Sequence, residues 1–214
     1  SHADGLIKIG AATKVLVIAV SSLTRTIDEN DKANRFIFGD GAAAYIIEKS
    51  EEQAFHSYYF GNDGSKKDKI IIRDGENRHP INEDSYIPFT NEFGEQQIPA
   101  KFYQDGAGVF RFTLDRIPNM IQLILDKNNL KKDDIDLYLL HQPNEFIVKA
   151  LTKVAKLPEE KVVLDVANYG NTVSLSIAIL IHNLNQQNRI KPGMRILIAA
   201  FGTGLSWNGC IWET

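Results

Sequence analysis

Three short stretches hold groups that could act on a carbonyl oxygen. The first is Leu140-His141-Gln142-Pro143-Asn144, where a histidine, the commonest general acid–base side chain, follows an apolar run. The second is Asn168-Tyr169-Gly170-Asn171-Thr172, where a carboxamide NH₂ could be aimed at an oxygen that gains negative charge. The third is Phe201-Gly202-Thr203-Gly204, a glycine-flanked turn that can bring backbone N–H groups close to a ligand oxygen. Each has a plainer reading. His141 could be a hydrogen-bonded corner residue, Asn171 or Thr172 a helix cap, and the glycines simply what a hairpin turn needs. Taken together, an imidazole, a carboxamide and backbone amides suit an oxyanion or an enolate. No nucleophile accompanies them. The single cysteine, Cys210, falls inside the last expected strand, two residues before Trp212, and reads as a small buried hydrophobe. His2, His56, His79 and His182 are scattered, and no cluster has metal-ligand spacing, so neither a metal nor a cofactor is expected.

Composition narrows the class. Of the 214 residues, 43% are hydrophobic and 24% charged, which suits a globular protein with a sizeable core. A net charge of −3 gives no basic surplus for nucleic acid. One cysteine permits no intrachain disulfide, which favours a reducing compartment. The apolar runs at 15–20, 137–140 and 177–181 fall far short of the roughly 20 residues that span a bilayer. No secretory leader is visible, so a cytoplasmic location away from membranes is expected.

The elements that must position these groups follow from periodicity. Residues 14–20 form a β-branched run predicting a strand buried on both faces. Residues 42–48 and 55–60 predict two more strands. Residues 62–100 are polar, contain Pro80, Pro88 and Pro99, and predict an irregular excursion with one hairpin near 69–73. Phe110, Leu114, Ile117, Ile121, Ile124 and Leu125 recur at helical spacing, with a kink expected at Pro118. Strands at 136–140, 161–164, 195–200 and 205–212 alternate with helices at 144–156 and 172–188. Such alternation predicts an α/β fold with a mainly parallel five-stranded sheet flanked by helices. Residues 1–10 read as the last turns of a helix ending at Gly10, which suggests a helix whose head lies outside the chain. On this reading residues 1–50 are the remnant of one unit, and residues 51–214 form a similar second unit.

The motifs resemble those of β-ketoacyl-acyl-carrier-protein synthase III, a thiolase-fold condensing enzyme. His141-Gln142-Pro143-Asn144 is similar to that family's His-Gln-Ala-Asn motif, and Gly170-Asn171-Thr172 to its Gly-Asn-Thr motif. The run from Ala200 to Trp207, Phe38-Gly39-Asp40-Gly41-Ala42, and Asp105-Gly106 through Val109-Phe110 also match, in order. The resemblance implies a decarboxylative Claisen condensation of an acyl thioester with malonyl-acyl-carrier protein, in fatty acid or related lipid synthesis. It implies catalytic roles for His141 and Asn171 and an oxyanion-hole N–H at Thr203. Gln142, Pro143, Asn144, Glu145 and Phe146 would meet the carrier protein, and Lys32 would meet the CoA of the acyl-CoA substrate. Phe146 and Lys32 stand where the family often has arginine, which bears on carrier and CoA recognition. The resemblance also implies a homodimer and places the family's reactive cysteine just before Ser1, so this chain alone should be inactive. Two other classes remain open: another thiolase-fold acyl-CoA enzyme, and a non-catalytic thiolase-like partner subunit.

Overall fold

The structure, a computed structural model, describes residues 1–91 and 94–214. Helix α1, His2–Lys8, carries an Asp4–Lys8 ion pair one turn apart. It leads to β1, Lys14–Ser21, which pairs antiparallel with β2, Gly41–Glu48, Ile18 standing opposite Ala44. Burial along β1 alternates, so Leu16, Ile18 and Val20 remain 60–67% exposed. Burial on both faces was expected. No described residue covers the second face closely enough to exclude water from it.

The excursion begins after β3, Phe55–Asn62. The hairpin expected near 69–73 does not close locally. Instead β4, Ile70–Ile71, pairs with the distant β7, Tyr103–Gln104, and ties the excursion at its base. Between them lie a 3₁₀ turn capped by Asn82 and a two-residue pairing of β5, Phe89–Thr90, with β6, Gln96–Gln97. Ser85, fully buried, donates to Asp74 Oδ2 at 2.8 Å and so anchors the interior of this polar stretch.

Helix α2, Gly106–Lys127, starts at Asp105, whose carboxylate accepts from Gly108 N at 2.7 Å and pairs with Lys69 Nζ at 2.6 Å. It continues through Pro118, and the i, i+4 apolar stripe of Ile117, Ile121 and Leu125 is completely buried. Next come β8, Leu137–Leu140, and α3, Glu145–Val154. The short α4, Val166–Tyr169, was not foreseen. Helix α5, Ser176–Gln186, is shorter than the 172–188 expected, because residues 173–175 form a 3₁₀ turn. The chain ends with β9, Arg195–Gly202, and β10, Ser206–Glu213.

The main sheet has the order β3-β10-β9-β8. Strand β10 is antiparallel to both neighbours, and only β8 and β9 run parallel. The sheet is therefore mixed and four-stranded where a mainly parallel five-stranded one was expected. The fifth strand, at 161–164, is reduced to a single bridge between Tyr138 and Val162. Its chain bends away into Asp165 and α4, and a side chain from the β8 end takes over its hydrogen bonds, as shown below.

Alternate residues of β8 feed two cores. Tyr138 and Leu140 pack with α2 and α3, and Leu137 and Leu139 pack with Leu180 and Leu184 of α5. Helices thus cover both faces of the sheet's parallel end. Among the described residues no helix is long and apolar enough to cross a membrane. Helix α2 approaches β10 closely at Gly209, where an added Cβ would lie 2.8 Å from Ile124 Cδ1 and from the Ile198 carbonyl oxygen. Gly209→Ala should therefore destabilise the protein by about 1–3 kcal/mol, the usual cost of overpacking. Urea denaturation checks this, and an unchanged midpoint would contradict the close approach.

Candidate active site

His141 stands at the carboxyl end of β8, the position where open α/β sheets bind ligands. All four residues of β8 are buried, so its backbone must be paired. The parallel ladder to β9 extends one step further, His141 N–H donating to Ala199 O at 2.8 Å. Gln142, only 2% exposed, secures the other side. Its Nε2 donates to Leu140 O at 2.9 Å and Val163 O at 3.1 Å, and its Oε1 accepts from Asp165 N at 3.0 Å. Every polar atom of this amide is thereby engaged inside the protein. Gln142 is a brace in place of a fifth strand and not the surface contact for a carrier that the resemblance implied.

The imidazole of His141 lies between two other elements. Its Nδ1 is 2.8 Å from Ser176 Oγ at the start of α5. Its ring meets Phe201 of β9 edge to face, with centroids 5.3 Å apart. No carboxylate pairs with it among the described residues. It is half-buried by area, yet deep enough for desolvation to push its pKa down from 6.5 to about 4. Near neutral pH it is an uncharged hydrogen-bonding ring. No described residue accepts or donates a hydrogen bond at Nε2.

Asn171 is held by backbone. Its N–H donates to Ile37 O at 2.7 Å and its carbonyl accepts from Gly39 N at 3.0 Å, making a parallel bridge across Phe38. Two glycines permit this approach. Gly170 takes φ +67°, and a Cβ there would lie 2.7 Å from Ile37 O. A Cβ on Gly39 would lie 2.2 Å from Tyr169 O. The Asn171 side chain is 7% exposed, and its Oδ1 accepts from Val173 N at 2.9 Å. Its Nδ2 has no hydrogen-bond partner among the described residues. Asn171 is therefore not the helix cap that its residue type allowed, since its bond closes a turn three residues before α5.

Thr203 follows β9 on the strand adjacent to His141. Its carbonyl accepts from Ser206 Oγ at 2.7 Å, and its own N–H has no partner among the described residues. Reciprocal bonds between Asp63 and Leu205 fix the turn. The adjacent ends of β8 and β9 thus carry His141 and Thr203. Ser176 links the histidine to the segment that presents Asn171. Ser176 was not singled out from the sequence, and although Phe201 and Phe38-Gly39 stood in noted motifs, neither the ring packing on His141 nor the bridge to Asn171 was foreseen. Ser176 lies five residues past Asn171, a spacing with no motif of its own.

The remaining candidates lie apart. Asn144 caps α3 by accepting from Ile147 N at 2.8 Å, and Pro143 is half-buried beside it. Glu145 pairs with Lys149 at 2.5 Å. Phe146 is 69% exposed and stacks on Phe110 with centroids 5.3 Å apart. Lys32 is exposed, with no ion pair among the described residues, five residues before the Ile37 that holds Asn171. Cys210 is buried within β10, and desolvation pushes its thiol up to about 11, as suits a packing residue. Among the described residues no group of three His, Cys, Asp or Glu could hold a metal.

Two family descriptions match the chain. Residues 1–64 match 3-oxoacyl-[acyl-carrier-protein] synthase III, and residues 125–214 match the C-terminal region of that enzyme. A β-ketoacyl-[acyl-carrier-protein] synthase III from Acaryochloris marina is 34% identical over 212 residues, covering 97% of this chain and 60% of that protein. The crystal structure of a 3-oxoacyl-(acyl-carrier-protein) synthase III superposes with a TM-score of 0.93 at 31% identity, covering all of this chain and 64% of that one. The corresponding enzyme from Thermus thermophilus gives 0.83 at 29% identity, covering 100% of this chain and 63% of that one. The chain therefore spans about three-fifths of the relatives it matches, and its α/β fold is thiolase-like, the class expected from the sequence.

The state of His141 carries a pH signature. A histidine whose folded pKa is depressed contributes stability that is fully present above 6.5 and is lost as the pH falls towards 4. Wild type should lose up to roughly 3 kcal/mol between pH 7 and 4 relative to His141→Gln, which cannot titrate. Parallel urea titrations of the two proteins check this. A difference that stays constant with pH would refute the buried neutral ring.

Proposed function

Because the chain belongs to the β-ketoacyl-acyl-carrier-protein synthase III family, we propose that its full-length protein condenses an acyl thioester with malonyl-acyl-carrier protein. What supports this reading is that Ser176 ties the imidazole of His141 to the segment that carries Asn171, and that each side chain keeps one donor with no partner among the described residues. One is an uncharged imidazole with Nε2 unpartnered, and the other a carboxamide whose oxygen is already engaged. Both suit the thioester carbonyl of the malonyl unit. When the bond to the terminal carboxylate breaks, CO₂ leaves and its electron pair passes into an enolate. His141 Nε2 and Asn171 Nδ2 then donate to the oxygen that gains the charge. Donors already fixed in place lower the barrier because they need no reorganisation as the charge appears. The carbanion attacks the acyl carbonyl, and the Thr203 N–H supplies one donor for that second oxyanion. The acyl group has by then passed from CoA to the enzyme's cysteine with loss of the CoA thiol, so the C–S bond that breaks is the one to that cysteine; its thiolate leaves, and the β-ketoacyl product stays on the carrier protein.

The acyl group needs a nucleophile, and Cys210 is too buried and too weakly acidic for it. The reading therefore calls for a nucleophilic cysteine other than Cys210 in the full-length protein. Exposed Lys32 would contact the CoA of the acyl donor. The α3 start would receive the carrier protein, with Phe146 and its neighbour Phe110 offering aromatic surface where the family often has arginine. A homodimer and a role in fatty acid synthesis complete the proposal.

In the full-length protein, His141→Ala and Asn171→Ala should each lower the rate of malonyl-carrier decarboxylation by about 10²–10³, as loss of one preorganised donor does elsewhere. Release of CO₂ is the readout, with circular dichroism to confirm folding. Rates equal to wild type would end this assignment.

A further inference from the structure

We propose that Ser176 is a positioning residue that fixes the tautomer of His141, keeping the proton on Nε2 so that this nitrogen is the donor presented to substrate. The proposal rests on the functional reading above for its consequence, and on the geometry alone for the tautomer. Ser176 is the first residue of α5 and is 4% exposed. A serine in a helix commonly turns its hydroxyl back to a backbone carbonyl three or four residues earlier. Here the hydroxyl's one hydrogen bond is to His141 Nδ1, at 2.8 Å.

Two arrangements satisfy that distance. In one, the serine O–H donates to the Nδ1 lone pair. In the other, Nδ1–H donates to the serine oxygen, and the serine proton is left buried with no acceptor. An unmatched buried donor is the costlier state, so the first arrangement prevails. A neutral imidazole has one N–H, and if Nδ1 accepts, the proton must sit on Nε2. The Phe201 ring, packed edge to face against the imidazole, opposes the ring flip that would exchange the nitrogens. The desolvation that keeps the imidazole uncharged removes the doubly protonated alternative near neutral pH.

The location of Ser176 adds a second consequence. It follows Asn171 by five residues, through the turn that Asn171 Oδ1 closes with Val173 N. One short segment therefore orients the carboxamide directly and the imidazole through a hydroxyl. Movement of that segment displaces both donors together.

Long-range ¹H–¹⁵N correlation on the full-length protein, labelled with ¹⁵N-histidine, reads the tautomer. Wild type is expected to show His141 with an unprotonated, hydrogen-bond-accepting Nδ1 and a protonated Nε2. Ser176→Ala should give mixed or averaged ring nitrogens, and should lower kcat for malonyl decarboxylation roughly tenfold or more with little change in KM. Ser176→Thr, which keeps the hydroxyl, should restore the wild-type nitrogens. Protonated Nδ1 in wild type, or an unchanged spectrum in Ser176→Ala, overturns the proposal. The wild-type spectrum decides on its own if either variant fails to fold. It reads the ring itself and so does not depend on whether the protein condenses thioesters.

Discussion

The constraint on which this structure turns is the full burial of β8. Four consecutive buried residues leave the backbone N–H and C=O groups of Leu137–Leu140 to be satisfied within the protein. Parallel pairing with β9 meets one side and delivers His141 to the end of the ladder, its own N–H still bonded to Ala199. On the other side a complete strand would be the usual solution. Here one bridge at Val162 and the Gln142 amide suffice. A side chain that bonds two carbonyls and an N–H behaves like a short piece of strand. It also frees the chain at 165 to turn into α4, which brings Gly170 and Asn171 back towards the same sheet end. The placement of His141 thus depends on a neighbour whose amide is engaged entirely within the protein.

The same logic explains which parts of the fold the sequence disclosed. Strands 137–140 and 195–202 and helix α2 were legible because one-sided or two-sided burial leaves a periodic apolar trace. The strand at 161–164 looked equally good, since Val162, Val163 and Leu164 are β-branched or apolar. It failed as a strand because pairing is a tertiary event, and a buried glutamine competed for the partners. The expected hairpin near 69–73 failed similarly. Ile70 and Ile71 do form a strand, but their mate is 103–104, and nothing local encodes so distant a choice. The run at 14–20 promised two buried faces, yet a β-branched run records only that its face is apolar, not that a neighbour covers it.

At the candidate site, residue type pointed to possible donors, while their geometry remained hidden. His141, Asn171 and Thr203 stand in motifs whose order in the chain pointed to one chemistry. What could not be read was the means of holding them. The bridge between Phe38 and Asn171 links residues more than a hundred positions apart. It exists because Gly39 and Gly170 omit side chains that would strike carbonyl oxygens. Glycine at both positions was visible, but its purpose depends on the segment lying opposite. Gln142 shows the reverse case, a residue in a recognised motif whose position within the motif suggested a surface role that its burial rules out.

On the proposed reading, the arrangement separates two ways of stabilising an enolate. A charged donor such as imidazolium binds a negative oxygen strongly, but it binds the ground-state carboxylate of a malonyl group strongly as well. Uniform binding of that kind does not lower the barrier. An uncharged imidazole and a carboxamide gain most as the thioester oxygen becomes negative, and they gain less from the carboxylate that departs. Desolvation around His141 enforces that choice, since among the described residues no carboxylate pairs with the ring to hold a proton on it. Keeping the ring uncharged makes its two nitrogens inequivalent in function, because only one can donate. A device is then needed to settle which one, and the proposal assigns it to the buried Ser176 hydroxyl, whose one partner among the described residues is Nδ1.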